Sequence, residues 1–197
     1  MPKDRDQLTP EEPDDAARLA ASRGKGTAGS GEDLLPGEAG SRWGTIEVWS
    51  EAFEPGDLLP DRYAHDRDNV SPPLSWSGVP PSTVELVLLC QDPDALGGTF
   101  THWVVTGIDP SATGVAEGTV PAGATEGVND FGHPGWGGPE PPPGDPAHRY
   151  VFTVVASGAR LGLGADARGE DVAASLGRNE VARGEISALY RRPPAPA

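Results

Sequence analysis

The sequence predicts a mainly antiparallel β domain with one late helix, preceded by an extension that carries no core of its own. Three observations lead there. Residues 45–50, 84–91, 102–108 and 149–156 have strand length, alternation or β-branched and aromatic enrichment. Twenty-seven glycines and 22 prolines among 197 residues call for many turns and few long helices. Within the domain, residues 170–176 make the best helical segment, closed by Gly177.

Residues 1–43 contain no Ile, Val, Phe or Tyr. Such a segment cannot bury enough apolar surface to offset an ordering cost of about 1–2 kcal/mol per residue. It is expected to be disordered or weakly ordered. A marginal helix over residues 10–21, with Thr9 as N-cap and Glu12 completing a capping box, is the one element it offers. From Gly44 the pattern changes. Residues 45–50 alternate, placing Ile46 and Val48 on one face and Trp49 on the other. Residues 69–76 carry Pro72 and Pro73 in succession, which argues against a central strand. Residues 185–190 read as a last short strand, and 193–197 as a tail; the domain is therefore expected over 44–192.

Charge narrows the partners. The formal net charge is −15, and residues 44–197 hold 21 acids against nine bases with no lysine. Such a surface repels phosphate backbones and anionic lipid head groups, so it disfavours nucleic-acid binding and broad membrane adsorption. No run approaches membrane-spanning length and the first residues lack the apolar core of a signal peptide. The expectation is a cytoplasmic protein without an integral membrane segment. Cys90 is the only cysteine, which excludes an intramolecular disulfide and a thiolate metal cluster. Its apolar neighbours make it a small buried hydrophobe.

The polar residues of interest lie between Asp92 and Phe152. Runs 84–91 and 102–108 are joined by about ten residues that include Gly97 and Gly98, and so predict an antiparallel hairpin. Such pairing gathers Asp92, Asp94 and His102 at one edge of the sheet. Alternation in the next run puts His148, Tyr150, Phe152 and Val154 on one face, with Arg149 and Val151 on the other. His148 and Tyr150 can then point together; the residues alone leave open whether that is the site of Asp92 and His102. The loop over 135–144 mixes glycines with prolines that limit its conformations, which suits the wall of a preformed pocket. Its glycine amides are candidate anion donors in the manner of a nest. Asp92, His102 and His148 also have the composition of a two-His-one-carboxylate metal site, or of an acid–base pair acting on a phosphoester. No Gly-x-Ser-x-Gly or His-Glu-x-x-His motif accompanies them. His65 and His133 are expected to be loop residues, and Trp76, Trp103 and Trp136 packing groups.

Together, Asp92-Pro93-Asp94-Ala95, His102-Trp103-Val104-Val105, and the Gly138-Pro139, Pro141-Pro142, Gly144 and His148-Arg149-Tyr150 series resemble the phosphatidylethanolamine-binding protein family. The bacterial branch, often labelled Raf-kinase-inhibitor-like, is similar also in the runs from Asn69 to Trp76 and Asn129 to Gly132. The resemblance spans about residues 45–192. It implies a large antiparallel sheet packed on a smaller one, with a peripheral helix near the C-terminus. It further implies a pocket that in relatives accepts phosphate, acetate-like anions or a phosphoethanolamine head group. Here Asp92, His102, Gly138, Pro139, Pro141, Pro142, His148 and Tyr150 would line it. The two histidines and Tyr150 would donate to anion oxygens, while Asp92 would orient a histidine or accept from an ammonium. Asp94 would organise its turn, with Arg149 as ion-pair partner. No catalytic residue, metal or other cofactor is implied. Kinase or protease inhibition occurs in relatives, but resides in surfaces that resemblance does not transfer; a protein partner and a homodimer are compatible with it. Three positions depart from the family pattern: Leu96 for proline, Gly107 for asparagine and Glu140 for a small or thiol residue. The first two are expected to affect local detail only. Glu140 would oppose an anion at the pocket rim, and is expected to point to solvent.

Overall fold

A computed structural model describes residues 44–194. The extension over 1–43, with the helix expected over 10–21, and the tail residues 195–197 lie outside the described residues. The elements in order are β1 (Gly44–Thr45), β2 (Glu47–Trp49), β3 (Leu74–Ser77), β4 (Glu85–Asp92) and β5 (Phe100–Ile108). Then come β6 (Gly114–Val115), β7 (Thr125–Glu126), β8 (His148–Ser157), α1 (Gly169–Leu176) and β9 (Glu180–Tyr190). They form a six-stranded sheet in the order β1-β9-β8-β4-β5-β7 and a three-stranded sheet in the order β2-β3-β6. β1 runs parallel to β9; every other pair is antiparallel. The expected fold class holds.

β4 explains why its sequence is an unbroken apolar run. Leu86, Leu88 and Cys90 face the core between the sheets, where they meet Trp76 of β3, Trp103 and Val105 of β5, and Tyr150, Phe152 and Val154 of β8. Val87 and Leu89 face the other way, under Val172 and Leu176 of α1. Both faces are covered over residues 86–90, so that stretch carries no polar residue. Each such side chain stabilises the fold by about 1.5–3 kcal/mol. This two-sided burial gives the site a rigid floor. The α1 terminus is held by Asp171, whose Oδ2 accepts the Arg168 amide at 2.8 Å, and Gly177 closes the helix with φ 40°.

Three element expectations need correction. Residues 45–50 are two strands, not one, because the chain changes sheets at Ile46. The Ile46 amide donates to Arg183 O at 2.9 Å, and only a glycine at position 184 leaves room for Ile46 O. β3 is the central strand of the smaller sheet. It begins at Leu74, immediately after Pro72 and Pro73, so the prolines stay outside the ladder they would have interrupted. The last strand is long, with 11 residues rather than six. Gly107 has φ 67° and lies where the β4–β5 register shifts between Leu86 and Leu88. Glycine and asparagine both tolerate that left-handed conformation.

Candidate ligand-binding pocket

β4 ends on Asp92, and the carboxylate does two jobs there. Its Oδ1 accepts the Asp94 amide at 2.8 Å, forming the turn that was expected of Asp94. Its Oδ2 accepts from His148 Nδ1 at 2.8 Å, with both side chains buried. Antiparallel pairing of β4 with β8 sets Gln91 opposite Val151, which brings the start of β8 beside the end of β4. Because an ionised carboxylate only accepts, His148 carries a proton on Nδ1 and turns Nε2 to the pocket. Asp94 instead reaches across to β8: it accepts the Arg149 amide at 3.0 Å, Nε at 2.9 Å and Nη2 at 2.8 Å. Those bonds from Arg149 pull its carboxyl down to about 2. The clamp fixes the residue next to His148.

His102 arrives by a bulge. Cys90 pairs with Trp103 and Gln91 with Thr101, so β5 has one unpaired residue between them, and it is His102. Strict alternation would send His102 away from the face that Trp103 occupies. The bulge lets both face the inter-sheet side, and the His102 ring lies 5.1 Å from that of Tyr150. Nδ1 of His102 donates to Gly137 O at 2.6 Å. Burial holds this imidazole below the usual histidine range, the Gly137 carbonyl only partly offsetting it. In the neutral ring Nε2 is therefore an acceptor, which reverses the donor role expected of it.

This has a consequence for stability against pH. Unfolded His102 binds a proton at about pH 6.5, and the folded chain binds it only at lower pH. The unfolded state thus holds more protons in that window, and stability falls as pH drops below about 6.5. Urea unfolding at pH 7.5 and 5.5 should show this loss, and His102→Gln should reduce the difference. An unchanged pH dependence in the variant would remove His102 as its source.

Tyr150 is buried; its hydroxyl leans toward the Asp92 carboxylate but makes no well-formed hydrogen bond with any described residue. Burial first, then the charge of Asp92, pushes the phenol above its ordinary range, so it remains an O–H donor. These groups line a cavity of about 110 Å³ with Pro141 and Pro142. Phe100, Phe131, Ala95 and Leu96, none of them among the expected lining residues, complete an apolar collar. Leu96 is 87% exposed at the lip. Phe131 had a signal, since it lies in the run from Asn129 to Gly132. The buried Asn129 explains that run: its Oδ1 accepts the Phe131 and His133 amides, and its Nδ2 donates to Gly135 O at 2.9 Å.

Two expected lining residues stand behind the wall. Gly138 donates its amide to Asn69 Oδ1 at 2.8 Å, and Pro139 O accepts the His65 amide at 3.1 Å. Both are buried and shape the pocket from outside it. The nest expectation fails for a related reason. Gly135, Gly137, Gly138 and Gly144 spend their amides on Gly127 O, His102 O, Asn69 Oδ1 and Arg192 O. No glycine amide of that loop is left for an anion. Glu140 is exposed as a residue, yet it lines the pocket. Its carboxylate lies 3.5 Å from Arg192 Nη1 and 3.9 Å from His65 Nε2. It does not simply point to solvent. His65 stacks on Phe131 with ring centroids 4.3 Å apart, and so belongs to the rim; His133 is a loop residue, as expected.

Asp92, His102 and His148 do come together, but not as metal ligands. Both Asp92 oxygens and both Nδ1 atoms are engaged in the bonds above. Among the described residues no three His, Cys, Asp or Glu side chains converge on a metal-binding geometry. The lining also includes no Ser, Thr or Cys. Cys90 lies fully buried beneath, its thiol raised well above the ordinary range by burial, as a packing group. No described helix is long and apolar enough to cross a membrane.

Comparison with known proteins agrees with this fold. The family model described as phosphatidylethanolamine-binding protein matches residues 49–191. A UPF0098 protein of Methanothermobacter thermautotrophicus is 40% identical over 152 residues, covering 75% of this chain and 99% of its own length. The UPF0098 protein YbcL of Escherichia coli is 39% identical over 159 residues, covering 74% and 87%. The crystal structure of Escherichia coli YbcL superposes with a TM-score of 0.71 at 32% identity, over 74% of this chain and 98% of that one. CT736, a homologue from Chlamydia trachomatis, gives 0.70 at 31% identity over 75% and 98%.

Proposed function

The chain belongs to the phosphatidylethanolamine-binding protein family, and from that premise we propose that its pocket binds a small oxyanion or a phosphorylated head group. One observation carries the reading. A buried Asp92–His148 pair, a neutral His102 and a tyrosine hydroxyl without a well-formed protein hydrogen bond line one small cavity whose other walls, Glu140 at the rim apart, are apolar. Buried polar groups are normally satisfied within the protein, so an orphaned hydroxyl beside a cavity marks a place for an acceptor.

The donor and acceptor complement refines the ligand. Tyr150 donates, and His148 donates through Nε2 when its ring is charged; both suit anionic oxygens. His102 Nε2 accepts, and suits a ligand that carries a donor of its own. Hydrogen phosphate has one in its P–OH group, and phosphoethanolamine in its ammonium. The volume admits a head group, not a whole lipid; the apolar collar is where any attached chain would lie.

Thermal unfolding with phosphate, phosphoethanolamine and acetate tests this on the wild type and on His148→Ala. At a hundredfold excess over Kd, binding should add about 2.7 kcal/mol, a rise of roughly 5–10 °C in Tm. The variant should lose the shift. Equal shifts in both proteins would refute the assignment. The Asp92–His148 dyad also has the composition of a general base. Release of inorganic phosphate from bound phosphoethanolamine would replace the binding reading with a hydrolytic one. A kinase- or protease-inhibitor-like role, in the cytoplasm or elsewhere, rests on family resemblance alone. It would show as partner affinity, or homodimer formation, that changes with occupancy of the pocket.

A further inference from the structure

We propose that the Glu140–Arg192 ion pair sets the charge that the pocket presents to its ligand, with Arg192 a positioning residue that acts through Glu140. The inference rests on the anion-binding reading and deepens it, since it names the group that selects among ligands by charge.

Glu140 is the one carboxylate of the lining besides Asp92, and the two are handled differently. Asp92 is buried against His148. Glu140 stands at the rim, about one third exposed, with Arg192 Nη1 at 3.5 Å. It cannot be withdrawn easily. The peptide on one side is held by the His65 amide on Pro139 O at 3.1 Å, and the Gly144 amide on Arg192 O at 3.2 Å ties the loop's far end to the same arginine. Arg192 Nη1 also donates to Pro141 O at 3.5 Å. The loop therefore presents Glu140 to the cavity mouth, and Arg192 offsets its charge there.

The arginine is shared. Its Nη2 lies 3.5 Å from Asp66 Oδ2, and Asp66 in turn is 3.7 Å from Arg67 Nη1. With Arg192 seated on Glu140, the rim is close to neutral and an anion meets little opposition. With Arg192 removed, a bare carboxylate faces the incoming anion, and ligands carrying an ammonium gain over those that are anions only. Groups this exposed interact in a screened medium, so the effect fades with salt.

Titration of inorganic phosphate into the wild type, Glu140→Gln, Arg192→Gln and the double variant by calorimetry, at low and high NaCl, tests the pair. Arg192→Gln should weaken phosphate about tenfold at low salt, and Glu140→Gln should strengthen it about threefold. The double variant should lie within about twofold of the wild type, because it too presents a neutral rim, so Arg192→Gln weakens phosphate less once Glu140 is gone. Equal weakening by Arg192→Gln in both backgrounds would make the arginine a loop support or a direct attractor and overturn the proposal. So would an unchanged affinity in Glu140→Gln. His148→Ala separates the two levels. If the wild type binds phosphate, His148→Ala abolishes it and the cycle is additive, only the Glu140–Arg192 inference falls. If the folded wild type does not bind phosphate, or His148→Ala binds it equally, the anion reading falls and takes the inference with it.

Discussion

Asp92→Ala is expected to lower stability by about 3–5 kcal/mol, a large fraction of the roughly 5–15 kcal/mol that holds a domain folded. The substitution has three effects at once. His148 Nδ1 loses its acceptor at 2.8 Å, the Asp94 amide loses the oxygen that closes its turn, and a cavity opens above Cys90. Asp92→Asn separates these effects. It keeps an oxygen for the Asp94 amide and removes the charge opposite His148, so about 1–2 kcal/mol is expected. In the double variant Asp92→Ala, His148→Ala no buried imidazole is left unpaired, and the cost should fall short of the sum of the single ones. Urea unfolding at pH 7.5 measures all three. A loss under 0.5 kcal/mol for Asp92→Ala would mean that the dyad does not anchor the end of β4. Phosphate affinity should fall even in Asp92→Asn, because the amide no longer holds the His148 ring through the charge-assisted bond that orients its Nε2.

These consequences depend on parts of the site that were unequally legible in the sequence. Local rules end an apolar run at Asp92 and put His148 and Tyr150 on one face, but only the family resemblance joins them into one pocket. The same local rules made β4, β5, β8 and α1 readable. His102 reaches the pocket only through a bulge, which alternation alone would have denied it. β3 was hidden by its preceding prolines. The first half of β9 was hidden by Glu180, Arg183 and Gly184, a polar stretch made into a strand by its neighbours on either side. The split between β1 and β2 is a tertiary event at Ile46 with no local signature. Glycine content alone suggests a source of free amides in the loop, yet its amides are consumed by acceptors as distant in sequence as Asn69. The Glu140–Arg192 pair spans 52 positions, and nothing near either residue announces the other. Local periodicity found the floor of the pocket; long-range hydrogen bonds and ion pairs made its wall and rim.

The wall can be tested at a residue that never touches the cavity. Gly138→Ala is expected to destabilise the domain by about 3 kcal/mol, the upper part of the range for overpacking. A methyl group there would fall on the backbone of Tyr63, Ala64 and His65, and backbone cannot rotate aside as a flexible side chain can. Gly138 does not occupy the left-handed region, so the cost is one of space, not of φ. Relief requires the loop to move away from residues 63–65, which breaks the Gly138 bond to Asn69 and the His65 bond to Pro139 O. The same movement carries Pro141 and Glu140 with it, so phosphate affinity should fall although no lining side chain has changed. Pro142→Ala is the control: Pro142 is exposed and lines the cavity, and its loss should leave stability within about 0.5 kcal/mol. Urea unfolding and phosphate titration on both variants discriminate. Wild-type stability and affinity in Gly138→Ala would show that the loop is not pinned to residues 63–65. The pocket would then need another explanation for a wall that keeps its shape.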